Sequence, residues 1–547
     1  MDQTPERRLR VGIIHPDLGI GGAERLVVDT AVELQNKGHI VEIFTSYFDP
    51  KRCFEPARDG TLKVHHMKTL IPRSLGGMFH SIFSILQQLS LVLQMLLSIL
   101  MFHYPGTIPK WLFRALSSAP ALEPFDVFLM DQQSFGVPWV KILGFTRVVF
   151  YCHFPDKELS NTIAKQKAIA RGDSGPSAFR QLYRLPLDLI EEGTMDYADK
   201  IMVNSEFTSK HFIKSFYRLR RAPRVVYPGI NLSSFESKAV VKSVGKLMAN
   251  SDVMTPIQKG IHEIVTDGSR PLLLSINRFE AKKNVALALD AFAGMNKELT
   301  GSQRAKNHRL ILAGGYDRRV KDNIDTLNEL QKQATDLGLN HITLFYDPAP
   351  FEPPASMPRE GELEQASVIF LPSLPGPLLN TLLVNASIEV LLYTPTDEHF
   401  GIVPLEAMAC GIPVLATNTG GPVESIVDAG WDGAAKRFTN EAGTGLLRHP
   451  TKNVWTGAIV AMLSMSEAER ARISKAARQR VKDKFSVEAM GSHIESVIIE
   501  AEGKGRVTLE EGMLQWASSI GVFLLMMFAY VWMLRGMNQA RAAAGLV

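Results

Sequence analysis

Apolar and polar positions divide the chain into two long stretches in which short β-branched runs alternate with longer helical ones. The first stretch holds RVGIIHP from Arg10, VEIFTS from Val41, LKVHHM from Leu62, DVFLMD from Asp126, RVVFYCH from Arg147 and KIMVNS from Lys200. After RVVYPGI at Arg224 the pattern lapses into a polar, irregular stretch, then resumes with PLLLSINR, RLILAGG, ITLF, SVIFLP, VLLYTP and IPVLATNT. Strands apolar on both faces, separated by helices, predict parallel sheets covered by crossover helices. The expected fold is therefore α/β with two Rossmann-like domains, residues 1–230 and 271–505, joined by a linker over 231–270. Ligands in such sheets bind beyond the carboxyl ends of the strands, and a cleft between two such domains is the expected site.

Two segments are too apolar for ordinary loops. Phe79 to Phe102 holds no charge, yet His80, Ser84, Gln87, Gln94 and Ser98 recur at helical spacing as a narrow polar stripe. A spanning helix here would place the strands before and after it on opposite sides of a bilayer, although they should share one sheet. The expectation is an amphipathic helix lying in the membrane interface, with a buried core helix as the alternative. Trp516 to Leu534 is also free of charge, carries Trp and Tyr near its ends, and is long enough to span. Lys504 and Arg506 on one side balance Arg535 and Arg541 on the other, so the charges give it no orientation.

Composition narrows the partners. The chain has 547 residues, 46% of them hydrophobic, enough for more than one core. A net charge of +4 gives no argument for nucleic acid. Its distribution says more: residues 61–122 contain Lys63, Lys68, Arg73, Lys110 and Arg114 and no Asp or Glu, a patch suited to anionic membrane lipids. The three cysteines, Cys53, Cys152 and Cys410, are too scattered for a disulfide framework or a zinc site. The charged start MDQTPERRLR has no signal-peptide apolar region, so the main domains are expected in the cytosol.

The strongest chemical signal is Glu398-His-Phe-Gly-Ile-Val-Pro-Leu-Glu406. Pro404 suits the first helical position and Gly411 the position past the end, so Glu406 is expected in a first turn and Glu398 on the loop before it. A carboxylate there can accept hydrogen bonds from both ribose hydroxyls, while the amides of Gly401, Ile402 and Val403 face a diphosphate or hexose. Two surface glutamates around a turn are the plain alternative. At the first strand of the second domain, Arg278 and Lys283 could converge on a leaving diphosphate. Near the start, Asp17-Leu-Gly-Ile-Gly-Gly-Ala-Glu24 leads into a helix, and Gly21 and Gly22 would let a ligand approach the backbone. His153, after the fifth strand, could bond a sugar hydroxyl or share in proton movement. No Asp-x-Asp and no metal-spaced cluster occurs, so no metal and no cofactor are expected.

Jointly these motifs resemble the retaining nucleotide-sugar glycosyltransferases of the GT-B fold, a group that includes glycogen synthases and phosphatidylinositol mannosyltransferases. The resemblance covers about Arg10 to Ala501 and includes Tyr-Pro-Gly-Ile-Asn at Tyr227 and Gly-Ile-Pro-Val at Gly411. Asn231 departs from it, standing where the group usually has aspartate. The chain more closely resembles the eukaryotic dolichol-pathway α-1,3/1,6-mannosyltransferases, in His-Pro-Asp-Leu-Gly-Ile-Gly-Gly-Ala-Glu-Arg from His15, Tyr-Cys-His-Phe-Pro-Asp from Tyr151 and Gly-Gly-Tyr-Asp-Arg-Arg-Val from Gly314. That resemblance implies transfer of two mannoses from GDP-mannose onto a mannosylated chitobiosyl-diphosphodolichol at the cytosolic face of the endoplasmic reticulum. Membrane lipids and other mannosyltransferases of that pathway are the further partners it implies. A related transferase with another nucleotide sugar and lipid acceptor, and a non-catalytic membrane scaffold of the same fold, are the competing readings.

Overall fold

The computed structural model describes residues 7–72, 80–158, 178–249, 254–299, 308–347 and 361–513. The chain folds as two compact units, Met1–Tyr227 with Met490–Val547, and Pro228–Ala489.

The first unit is built on a parallel sheet of seven strands: β1 (Arg10–Ile14), β2 (Ile40–Thr45), β3 (Lys63–His66), β4 (Val127–Asp131), β5 (Arg147–Cys152), β6 (Lys200–Val203) and β7 (Arg224–Val225). Their order is β3-β2-β1-β4-β5-β6-β7, so every carboxyl end lines one edge. Alternating residues fill two cores, because a strand sends successive side chains to opposite faces. Val11, Ile13, Val41 and Leu129 pack with Leu26, Val27 and Leu34 of helix α1 (Gly22–Asn36), while Ile14, Phe44, Phe128 and Phe150 fill the other face.

Helix α2 (His80–His103) covers part of the second face and is long and apolar enough to cross a membrane. The polar stripe named from sequence turns inward at Gln94 and Ser98, whereas His80 at its start is exposed. Gln88, Gln94 and Ser98 are buried. Gln88 Nε2 donates to the Gln133 carbonyl at 2.7 Å while its Oε1 accepts from the Gly136 N–H. Gln94 Nε2 donates to the Lys68 carbonyl at 3.0 Å, and the Ser98 and Ser117 hydroxyls bond at 2.8 Å. Leu86, Leu93, Leu100 and Phe102 are left exposed. The strands on either side of α2 lie in the same sheet. A short helix, α3 (Lys110–Leu116), follows and exposes Trp111 and Leu116.

The second unit repeats the architecture with β8 (Leu272–Ile276), β9 (Arg309–Gly314), β10 (His341–Thr343), β11 (Val368–Pro372), β12 (Ile388–Tyr393), β13 (Val414–Thr417) and β16 (Gly445–Arg448). The order is β10-β11-β9-β8-β12-β13-β16, again all parallel. A small antiparallel pair, β14 (Trp431–Asp432) and β15 (Arg437–Phe438), stands apart. Strand β16 escapes the sequence pattern because it opens on Gly445, where a Cβ would come within 2.5 Å of the Val414 carbonyl oxygen.

Two boundaries differ from the expected ones. The polar stretch 231–270 is not an irregular linker: it belongs to the second unit and forms helices Ser237–Ala249 and Pro256–Thr266. The latter begins with a capping box in which Thr255 and Gln258 satisfy each other's backbone N–H, and it buries Ile261, Ile264 and Val265. At the other end, helix α4 (Val487–Glu502) leaves the second unit after Ala489. Its Met490, Ile494, Val497 and Ile498 complete the first unit's core, and Glu495 meets Lys37 at 2.9 Å and His39 at 3.0 Å. The apolar segment 516–534 lies outside the described residues.

Candidate active site

In the first unit, strand order sets the chemistry at the carboxyl edge. Strand β1 lies beside β4 and β4 beside β5, so the residues that follow or end them meet. His15 is fully buried, and its Nδ1 lies 2.7 and 2.9 Å from the two oxygens of Asp131, the last residue of β4. The same carboxylate reaches His153 Nε2 at 2.9 Å. The Tyr151 ring lies 4.9 Å from the His153 ring, and Asn204 Nδ2 donates to the His153 carbonyl at 2.9 Å. His153 is thus oriented from several sides while part of its ring stays accessible, with 23% of the side chain exposed.

Burial alone would lower the pKa of His15, but the charge and hydrogen bond of Asp131, with Glu24 behind them, outweigh it and hold it above the ordinary value. Burial likewise pushes Asp131 up, and the two histidines more than reverse that. The glycine turn starts α1 as expected, with Gly21 at the N-cap. A Cβ at Gly21 would lie 2.2 Å from Glu24 Oε2, whereas Gly22 borders open space.

In the second unit the acids and cations named from sequence gather at the edge formed by β8 and β12. Lys283 ends a single 3₁₀ turn after β8, and its Nζ lies 2.5 Å from Glu398 Oε2. Both side chains are mostly sheltered, 15% and 25% exposed. Thr394 Oγ1, just past β12, donates to the Lys283 carbonyl at 2.7 Å. Glu280 joins the remaining cations: Lys282 lies 3.0 Å from it and Arg278, itself largely exposed, 3.6 Å. Burial would raise the Glu280 pKa, but Lys282, Arg278 and Lys283 together hold it below the ordinary value.

The loop carrying Glu398 depends on glycine. The Gly421 N–H donates to the Glu398 carbonyl at 2.7 Å, and a Cβ on Gly421 would stand 2.2 Å from the Phe400 carbonyl oxygen. Gly420 and Gly401 have φ of +70° and +88°, in the left-handed region that favours glycine. The helix Ile402–Cys410 opens at Gly401 and ends at Gly411 with φ +79°. Pro404 is therefore its third residue rather than its first, and Glu406 falls in its second turn, where the expectation had been the first. Glu406 still belongs to the cluster. Burial, with Glu398 and Glu406 close by, pushes the Tyr393 phenol well above its ordinary pKa.

His15, Asp131, Glu280 and Tyr393 were not singled out from sequence. Position just after, or at the end of, a strand was the one available signal. Asn231, the departure from the expected aspartate, keeps the capping role: its Oδ1 accepts from the Ser233 N–H at 3.0 Å. Among the described residues no group of three or more His, Cys, Asp or Glu side chains is arranged to hold a metal ion.

Residues 20–234 match the family profile described as Glycosyltransferase Family 4, and residues 258–480 match Glycosyl transferases group 1. Among solved structures, sucrose-phosphate synthase from Thermosynechococcus elongatus superposes with a TM-score of 0.57 at 17% identity, covering 91% of this chain and 100% of that one. The catalytic domain of starch synthase IV from Arabidopsis thaliana, bound to ADP and acarbose, gives 0.54 at 14% identity, covering 91% and 100%. Fold and family profiles thus define a glycosyltransferase of the GT-B class, with two Rossmann-like domains.

The α-1,3/1,6-mannosyltransferase ALG2 of Rhizomucor pusillus is 37% identical over 518 residues, 94% of this chain and 97% of that one. Its counterpart in Saccharomyces cerevisiae is 36% identical over 490 residues, 89% and 83%. The chain belongs to the α-1,3/1,6-mannosyltransferase family.

Proposed function

We propose that the chain transfers mannose from GDP-mannose to Man1GlcNAc2-diphosphodolichol, first in α-1,3 and then in α-1,6 linkage, with retention and without a metal ion. The observation that carries the mechanism is the Lys283–Glu398 pair at the carboxyl edge of the second sheet, with Arg278 paired to Glu280 after the same strand and Glu406, like Glu398, close to Tyr393. Glu406 takes the ribose hydroxyls. Arg278 and Lys283 take the charge that grows on the diphosphate as the anomeric C–O bond breaks, and the amides of Gly401, Ile402 and Val403 add a helix N-terminus. Glu398 orients the mannose. The acceptor hydroxyl attacks the anomeric carbon from the face the nucleotide leaves, and its proton passes to the departing phosphate oxygen, so donor and product are both α. An ion-paired Glu398 favours this route over one in which Glu398 is a free nucleophile. His153 offers a hydrogen bond to a sugar hydroxyl.

The site of action is the cytosolic face of the endoplasmic reticulum. Leu86, Leu93, Leu100 and Phe102 on the outer face of α2, with Trp111, provide an apolar surface, and the acid-free stretch around it suits anionic lipid. Because α2 fixes its polar residues to the protein and both flanking strands share a sheet, it lies along the membrane rather than through it. The test is purified full-length protein with GDP-mannose and a dolichol-linked acceptor, followed by linkage analysis. Two mannoses, one α-1,3 and one α-1,6, are expected; transfer from UDP-sugars instead would assign a different donor, and no transfer at all would refute the reading.

A further inference from the structure

The first unit has a concavity that the mechanism leaves unused. It opens beyond the carboxyl end of β3, between the end of α2, the loop that follows and α3, with a volume of about 930 Å³. Its lining includes Lys68, Lys110 and Arg114, set among Met101, Ile108 and Phe113. Lys110 and Arg114 are four residues apart on α3 and so share a face. None of the three cations forms an ion pair among the described residues. The first acids after α3 are engaged elsewhere: Glu123 binds the Arg10 guanidinium at 2.6 Å and Asp126 the Arg10 N–H at 2.7 Å. Three uncompensated cations in a largely apolar trough make a seat for an anionic amphiphile, and the guanidinium can grip a phosphate with two parallel hydrogen bonds.

We propose that this trough holds the diphosphate of the lipid-linked acceptor, with the start of its polyprenyl chain on Met101, Ile108 and Phe113. This rests on the reading of the acceptor given above. Strand spacing supports it. The trough lies at the edge strand β3, while His15, Asp131 and His153 sit at the ends of β1, β4 and β5. At about 4.8 Å per strand, those groups are roughly 10, 14 and 19 Å away along the same edge. A diphosphate anchored in the trough therefore needs a short oligosaccharide to bring its reacting sugar to His153. A single sugar on the diphosphate falls short.

The test uses the full chain, in detergent, with GDP-mannose and a polyprenyl-diphosphate acceptor. Lys68→Gln/Lys110→Gln/Arg114→Gln should raise the acceptor KM by about tenfold to a hundredfold, the effect of losing charge-assisted hydrogen bonds. The GDP-mannose KM should stay unchanged, and Lys68→Arg/Lys110→Arg should keep the acceptor KM near wild type. An unchanged acceptor KM in the triple variant, with the wild type active, would overturn the proposal. So would a triple variant that loses only its binding to phosphatidylserine-containing vesicles relative to phosphatidylcholine vesicles, which assigns the trough to bulk lipid headgroups. Wild-type protein that transfers nothing would instead refute the transferase reading.

Discussion

Lys283→Ala separates catalysis from folding. Its ammonium lies 2.5 Å from the Glu398 carboxylate, while its backbone carbonyl is held independently by Thr394 Oγ1 at 2.7 Å. Truncation thus removes the charge and leaves the 3₁₀ turn pinned. For stability the loss is modest, about 1–3 kcal/mol, because Glu398 is left without its partner but stays a quarter exposed and can be rehydrated. For catalysis it is large. A cation about 4 Å from a developing phosphate charge, at an effective dielectric near 20, contributes on the order of 4 kcal/mol. Losing one preorganised group of this kind typically costs about 2.7–4 kcal/mol, which is a hundredfold to thousandfold in kcat. GDP release measured at saturating acceptor should show that loss while the melting temperature moves by only a few degrees. Lys283→Arg, which keeps the charge in a different geometry, should recover part of the rate. A kcat within about tenfold of wild type in folded Lys283→Ala would refute the assignment. A change confined to the GDP-mannose KM would show that Lys283 binds ground and transition states alike.

Three further outcomes follow from the geometry. Gly421→Ala should lose most activity and about 1–3 kcal/mol of stability, read by urea unfolding, since its Cβ would stand 2.2 Å from the Phe400 carbonyl oxygen in the loop that presents Glu398. Asp131→Asn leaves His15 buried without its counter-charge and should cost about 3–5 kcal/mol. The raised His15 pKa contributes stability fully present below its ordinary value of 6.5 and lost as pH rises through the folded value, and the lowered Asp131 pKa contributes above 3.8, so the deficit should be widest between those two values. Burial, with Asp156 nearby, pushes the Glu191 carboxyl up from 4.5 to about 8. Folding then favours its protonated form, so wild type should lose stability relative to Glu191→Gln as pH climbs through that range, by at most about 5 kcal/mol, with residual solvent contact reducing the figure.

The sheets were legible because parallel strands buried on both faces leave continuous apolar runs, and most strands from Arg10 to Thr417 fall where those runs do. The exceptions share a cause. The helices in 231–270 interleave apolar with polar residues and offer no continuous apolar run, and only the Thr255–Gln258 box marks a start. Among the site residues, Glu398 and Glu406 stand out through their spacing around a Phe-Gly turn, and Lys283 through its place just after a strand. The His15–Asp131–His153 chain does not, since it depends on β1, β4 and β5 being neighbours, and strand order is absent from local sequence. The α2 helix shows the same limit: periodicity reveals a polar stripe, but which side meets solvent is decided by the acceptors and donors of Gln133, Gly136, Lys68 and Ser117.

The return of helix Val487–Glu502 to the first unit also constrains biosynthesis. Met490, Ile494, Val497 and Ile498 emerge from the ribosome long after the strands they cover, so the amino-terminal sheet waits, with an apolar face open, while the whole second unit is made. A stop codon just ahead of Val487 would thus injure the half of the protein farthest from it in sequence. Chaperone dependence of the nascent chain should track the length translated past Ala489, not completion of the second sheet.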